Sequence, residues 1–158
     1  MIMIKKFKYQ LILVSVTFSG TIFALNEILE NDKVLTVHKT PTCGCCKMWI
    51  KHVEKNGFIA NAKDHKSLMN IKDSFQIKPE YRSCHTSVSS NGFIFEGHIP
   101  SKYIEQFLSE DHPNAIGLSV PGMPLGSPGM EVEGMFTPYK VLILFKDGTS
   151  DIYAEVQE

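Results

Sequence analysis

No run of lysines or arginines and no basic helix face occurs in the 158 residues, and the formal net charge is -1. Nucleic acid is therefore not expected as a partner, because phosphate binding needs a concentrated positive field. No Walker loop, dinucleotide glycine fingerprint or HExxH pattern is present, so nucleotide and zinc-protease chemistry have no support. The main apolar stretch, residues 11–24, is shorter than the ~20 residues of a spanning helix. It is also diluted by Ser15, Thr17, Ser19, Gly20 and Thr21. What remains is ordinary in bulk: hydrophobic residues make up 43% and charged residues 21%, as in a single compact globular domain.

The amino terminus has the layout of a secretory signal peptide. Lys5, Lys6 and Lys8 precede the apolar stretch, and Ala24 offers a small residue for cleavage, although Ile22 is a poor residue two places earlier. Residues 1–24 are read as this leader and residues 25–158 as one domain. No cysteine lies near the cleavage point, which removes lipid attachment there. Loss of three lysines takes 16 basic and 17 acidic residues to 13 and 17, a mature balance of -4. The expectation is export to a bacterial periplasm, without stable membrane insertion after cleavage.

Cysteine is scarce but concentrated. Three of the four fall in Cys43-Gly44-Cys45-Cys46, and the fourth, Cys84, is followed by His85. In an oxidising compartment an even cysteine count usually means structural disulfides. Here that reading fits poorly: a bond between adjacent Cys45 and Cys46 would strain the peptide between them, and other pairings would staple only one local spot.

The coarse pattern places these residues. Residues 34–37 read as a strand, Thr42 as a helix N-cap, and residues 47–56 as a helix with Trp49, Ile50 and Val53 on one face. Asn56-Gly57 stops it, and residues 58–60 form a short strand. Ser67 then caps a helix bearing Leu68, Ile71 and Phe75, ended by Pro79. A hairpin follows with its turn at Asn91-Gly92 and its second strand at residues 93–95. The third helix opens at Pro100 and Ser101, with Tyr103, Ile104, Phe107 and Leu108 inward. Residues 115–134 read as one long Gly/Pro/Met loop, and residues 139–145 and 151–156 as a closing hairpin.

This order is the thioredoxin order, and Cys43-x-x-Cys46 between a strand and a helix is its sequence sign. The expected fold is α/β: a thioredoxin-like mixed sheet with flanking helices, plus a C-terminal Gly/Pro/Met loop and β-hairpin. A helix N-terminus stabilises thiolate over thiol, which makes Cys43 and Cys46 a candidate redox pair. Thioredoxin-like topology would bring Cys84 and His85 against the cysteine turn. His85 is a candidate ligand or proton acceptor. His98 either joins the site, caps the next helix or bonds backbone. Met123, Met130 and Met135 offer thioether sulfur but equally fit core packing. His38 reads as incidental, and His52, His65 and His112 as surface residues.

Four motifs, Thr42-Cys43-Gly44-Cys45-Cys46-Lys47, Arg82-Ser83-Cys84-His85-Thr86, Glu96-Gly97-His98-Ile99-Pro100 and the segment from Val120 to Met130, make the chain resemble the bacterial CopG-type family, long catalogued as a metal-binding domain of unknown function. The resemblance runs from about Val34 to Tyr153. It implies a thioredoxin-like fold, export and a role in copper handling, with metal held by Cys43, Cys45, Cys46 and Cys84. Other periplasmic copper-handling or redox proteins would be its partners.

Donor chemistry leads to the same metal. Clustered thiolates form a soft site suited to Cu(I), and neighbouring cysteines diverge too much to surround one ion, so they would bridge several Cu(I) ions. Two other functions stand beside this one. The first is a general thiol–disulfide oxidoreductase with Cys43 as nucleophile and Cys46 as resolving thiol. The second is a binding module stapled by zinc through three cysteines and His85.

Overall fold

The computed structural model describes residues 33–157; the leader assigned to residues 1–24 lies outside them. Seven strands form one mixed sheet: β1 (Val34–Lys39), β2 (Ile59–Asp64), β3 (Thr86–Ser89), β4 (Ile94–Glu96), β5 (Ala115–Ser119), β6 (Tyr139–Phe145) and β7 (Ser150–Val156). The helices are α1 (Gly44–Lys55), α2 (Met69–Ser74) and α3 (Ser101–Ser109). The strand order is β2-β1-β3-β4-β5-β6-β7. β1 and β2 are parallel, β3 runs antiparallel to both β1 and β4, and β5 returns parallel to β4 through α3. The first four strands and three helices are thus the thioredoxin-like unit, and β5 to β7 extend its sheet on one side.

Alternation along the strands divides the two faces. Leu35, Val37, Phe95 and Leu118 point into the main core, where Trp49 and Val53 of α1 meet Ile104 and Phe107 of α3. Trp49 is fully buried, and its indole N–H donates to the Ile99 carbonyl at 2.9 Å. This bond ties the cysteine helix to the segment before α3. On the other face, Thr86 and Glu96 sit side by side in register and receive Lys72 from α2.

Several boundaries differ from the sequence reading. Cys43, not Thr42, caps α1: its Sγ accepts the Cys46 N–H at 3.2 Å, so the helix begins three residues earlier than its periodicity indicates. β2 extends to Asp64, well beyond Ala60, because pairing with β1 carries an otherwise polar segment. The apolar face expected of α2 is only partly realised. Leu68 is buried, but the buried residue within the helix is Lys72. The helix ends at Ser74, and Gln76 turns back at φ 58 before Pro79 is reached. Residues 115–119, read as loop, form the buried strand β5. Gly117 breaks the local pattern, yet pairing with β4 and β6 outweighs it. Among the described residues, no helix is long and apolar enough to cross a membrane.

Candidate metal centre

The turn of Thr40, Pro41 and Thr42 at the end of β1 delivers Cys43 to the N-terminus of α1, where the Cys43 N–H bonds the Thr40 carbonyl at 3.2 Å. The next helical turn carries Cys45 and the buried Cys46. Cys43 and Cys46 form a disulfide with a Cα separation of 5.3 Å, and Cys45 and Cys84 are free. Cys84 comes from the segment before β3. Its Sγ lies 3.5 Å from that of Cys46 and 3.9 Å from that of Cys45, and Cys45 is 3.5 Å from Cys43. All four sulfurs lie within 4.8 Å of one another.

Cys84 also belongs to a second cluster, with His85 and His98. Its Sγ is 2.9 Å from His98 Nε2 and 3.4 Å from His85 Nδ1. The tautomer of His98 follows from its other bond. Nδ1 lies 2.8 Å from the Pro128 carbonyl, which only accepts, so Nδ1 carries the hydrogen and Nε2 aims a lone pair at the sulfur. In metal sites a ligating imidazole commonly donates its other N–H to a backbone carbonyl in this way, which fixes both its tautomer and its aim. His85 is fully buried, its ring packs on Trp49 with centroids 4.4 Å apart, and its Nε2 has no hydrogen-bond partner.

Burial governs the electrostatics. It pushes the Cys84 thiol up to about 12, and the neighbouring Cys45 adds to the rise. It lowers the pKa of His98, and drives that of His85 well below the ordinary range with help from His98 and Lys72. In the metal-free protein both rings are therefore neutral donors and Cys84 is a protonated thiol.

The cysteine at 84 is held from beneath by a network that the sequence reading missed. Glu96, wholly buried, accepts the Ser83 N–H at 2.6 Å and the Thr86 hydroxyl at 2.6 Å, and pairs with the buried Lys72 amine. The residues on both sides of Cys84 and His85 are thereby fixed to one carboxylate. Glu96 precedes the Gly97-His98 pair, so its place in the motif was the available signal. Lys72 gave none, because a lysine in an amphipathic helix ordinarily faces solvent.

The long loop closes the site from above. Gly129, at φ 85, lies against α1 so closely that a Cβ there would stand 2.7 Å from the Cys45 carbonyl oxygen and 2.8 Å from the Trp49 nitrogen. Only glycine fits both that conformation and that approach. This contact seats Pro128 where its carbonyl reaches His98. Met130 follows, partly buried, whereas Met123 and Met135 are each 52% exposed.

The structure thus brings together Cys43, Cys45, Cys46, Cys84, His85 and His98. His52 is not a simple surface residue, since its Nε2 accepts the Ser101 N–H at 3.1 Å and caps α3. His38 and His65, read separately as incidental and exposed, touch one another at 2.9 Å.

A family model described as a protein of unknown function, DUF411, matches residues 81–130, the stretch carrying Cys84, His98 and the loop. No curated protein matches the chain. Two solved structures, forms 1 and 2 of the copper resistance protein CopG, are each 36% identical to it. Form 1 superposes with a TM-score of 0.74 over 79% of this chain and 98% of its own. Form 2 gives 0.73 over 78% and 97%. With the cysteine cluster, the fold and this similarity all in agreement, the chain belongs to the CopG family.

Proposed function

We propose that this is an exported, periplasmic copper-binding protein of copper resistance, holding Cu(I) in a multinuclear thiolate site built from Cys43, Cys45, Cys46 and Cys84. The single observation that carries the reading is the convergence of four sulfurs within 4.8 Å, contributed by a helix N-terminus and a separate loop. Once the Cys43–Cys46 disulfide is reduced and metal displaces the thiol protons, four thiolates this close together can bridge neighbouring Cu(I) ions, each taking two or three sulfurs, and soft sulfur selects the monovalent state. The donor set fits copper further out as well, because Nδ1 of buried His85, 3.4 Å from the Cys84 sulfur, and the aimed lone pair of His98 add nitrogen donors beside Cys84. Residues 25–158 act as one metal-binding domain behind a cleaved leader.

Redox activity belongs to the same site. Exchange with a partner dithiol, which is itself left as a disulfide, reduces the Cys43–Cys46 bond and yields the two thiols that load copper. In the reverse direction, two Cu(II) ions take one electron each from the dithiol, leaving two Cu(I), one disulfide and two released protons. The disulfide withdraws two of the four sulfurs, so the oxidation state of the pair sets how much copper the protein holds.

The observed disulfide also favours a second reading, general thiol–disulfide exchange with Cys43, half-buried where Cys46 is fully buried, as the nucleophile. Cys45 and Cys84 count against it, since two extra thiols within 4 Å of a reactive disulfide invite mispairing. An anaerobic Cu(I) titration of the reduced full chain against a competing chelator separates the two. Several tightly held coppers per chain support the copper reading. Rapid reduction of a model disulfide by a protein that holds no Cu(I) against the chelator supports the alternative.

A further inference from the structure

Away from the cysteines, β1 and β2 place two histidines against each other at the sheet's edge. His38 Nδ1 lies 2.9 Å from His65 Nε2, with ring centroids 5.1 Å apart and planes inclined at 34°. Both rings are partly exposed, which leaves the pair open to ions from solvent. Their backbones are fixed. His38 is in register with Lys63 on the parallel partner, and the His65 N–H extends the ladder by bonding the Lys39 carbonyl at 2.8 Å. The Phe75 ring, 6.5 Å from that of His38, packs behind it. Neither histidine belongs to the cluster around Cys84.

We propose that His38 and His65 form a second metal site, a bis-imidazole pair for divalent copper. With metal–nitrogen bonds of about 2.0 Å, cis ligands of a tetragonal ion lie about 2.8 Å apart, whereas tetrahedral ligands lie about 3.3 Å apart. The observed 2.9 Å is that of a direct hydrogen bond, from which ring rotation reaches either spacing, and Cu(II) is favoured because it stands highest among the divalent ions in affinity for imidazole. The ion takes the place of the hydrogen now shared between the two nitrogens. That hydrogen moves to the far nitrogen of the same ring by exchange through solvent, and each ring turns by roughly 45° so that both lone pairs, now aimed along the line between the nitrogens, meet on the metal. Water completes the coordination. Lys63, across the ladder from His38, opposes a cation; the Lys39 amine is engaged by Asp64. The site is therefore weaker than one with a carboxylate ligand. Two donor sets of different hardness on one chain would let the protein engage both oxidation states of the same metal.

The test uses the full chain without an affinity tag, carrying Cys45→Ser and Cys84→Ser, so that no free thiol reduces the added ion. Titration with Cu(II), read by electron paramagnetic resonance, is expected to give a tetragonal signal with superhyperfine coupling to two nitrogens. His38→Ala or His65→Ala should each remove it and weaken Cu(II) binding at least about tenfold, while His112→Ala leaves it unchanged. A parallel measurement on the wild-type chain with its free thiols alkylated follows the broadening of histidine ring resonances by substoichiometric Cu(II). His38 and His65 should broaden first. A signal that survives both substitutions, or broadening that begins elsewhere, would show that the pair is only a structural hydrogen bond and overturn the proposal.

Discussion

Lys72→Met isolates the network that holds Cys84. The substitution keeps the length of the side chain but strips the cation from a carboxylate that is wholly buried. Removing one member of a buried pair commonly costs about 3–5 kcal/mol, because the remaining charge is stranded. Glu96 has an escape, since it can take up a proton, and burial already raises its pKa while Lys72 holds it down. Without the lysine the raised pKa moves further from the unfolded value of 4.5. The cost of staying protonated in the fold is about 1.4 kcal/mol per pH unit above that value, or roughly 3.4 kcal/mol at pH 7 and 0.7 kcal/mol at pH 5. The sign follows: a carboxyl with a raised folded pKa is tolerated at low pH, and the penalty grows as pH rises. Urea unfolding of metal-free wild type and variant at the two pH values should therefore give a difference of about 3 kcal/mol at pH 7 that shrinks below about 1 kcal/mol at pH 5. Adding Glu96→Gln to Lys72→Met should recover much of the loss at pH 7. Equal penalties at both pH values, or none at either, would refute the role assigned to this pair.

Three further outcomes are expected. Gly129→Ala should lower stability by about 2 kcal/mol or more, since its Cβ meets the Cys45 carbonyl at 2.7 Å in a left-handed conformation; an unchanged melting temperature would show that the loop does not rest on α1. Gly44→Ala, at the first residue of the same helix, has open space around its Cβ and should stabilise by about 0.4–1 kcal/mol, seen as a higher urea midpoint. Metal-free protein should lose stability as pH falls from 7.5 towards 5.5, because the depressed pKa values of His85 and His98 mean that the unfolded chain binds protons the fold refuses. The slope reaches at most about 1.4 kcal/mol per pH unit for each ring, and Glu96, whose pKa burial raises, opposes it. A flat profile over that interval would contradict the burial of the two rings.

The thioredoxin-like order was legible because its signals are local. β-branched residues precede the cysteine turn, apolar positions recur at helical spacing around Trp49 and Val53, and Asn91-Gly92 marks the hairpin. Features set by distant partners were not legible. β5 contains a glycine and follows a Pro-Asn pair, so only its pairing with β4 and β6 makes it a strand. Lys72 reads as a solvent-facing lysine until β4 supplies Glu96 beneath it. The cysteines announced a site by density alone. The tautomer of His98 depended on a carbonyl 30 residues away, and the His38–His65 contact on the register of two strands.

X-ray absorption at the copper edge of the reduced, Cu(I)-loaded chain tests the central claim most directly. The account predicts a first shell dominated by sulfur, a short copper–copper vector from thiolate bridging, and loss of that vector in Cys84→Ser. A single copper surrounded only by nitrogen and oxygen, indifferent to Cys84→Ser, would contradict it.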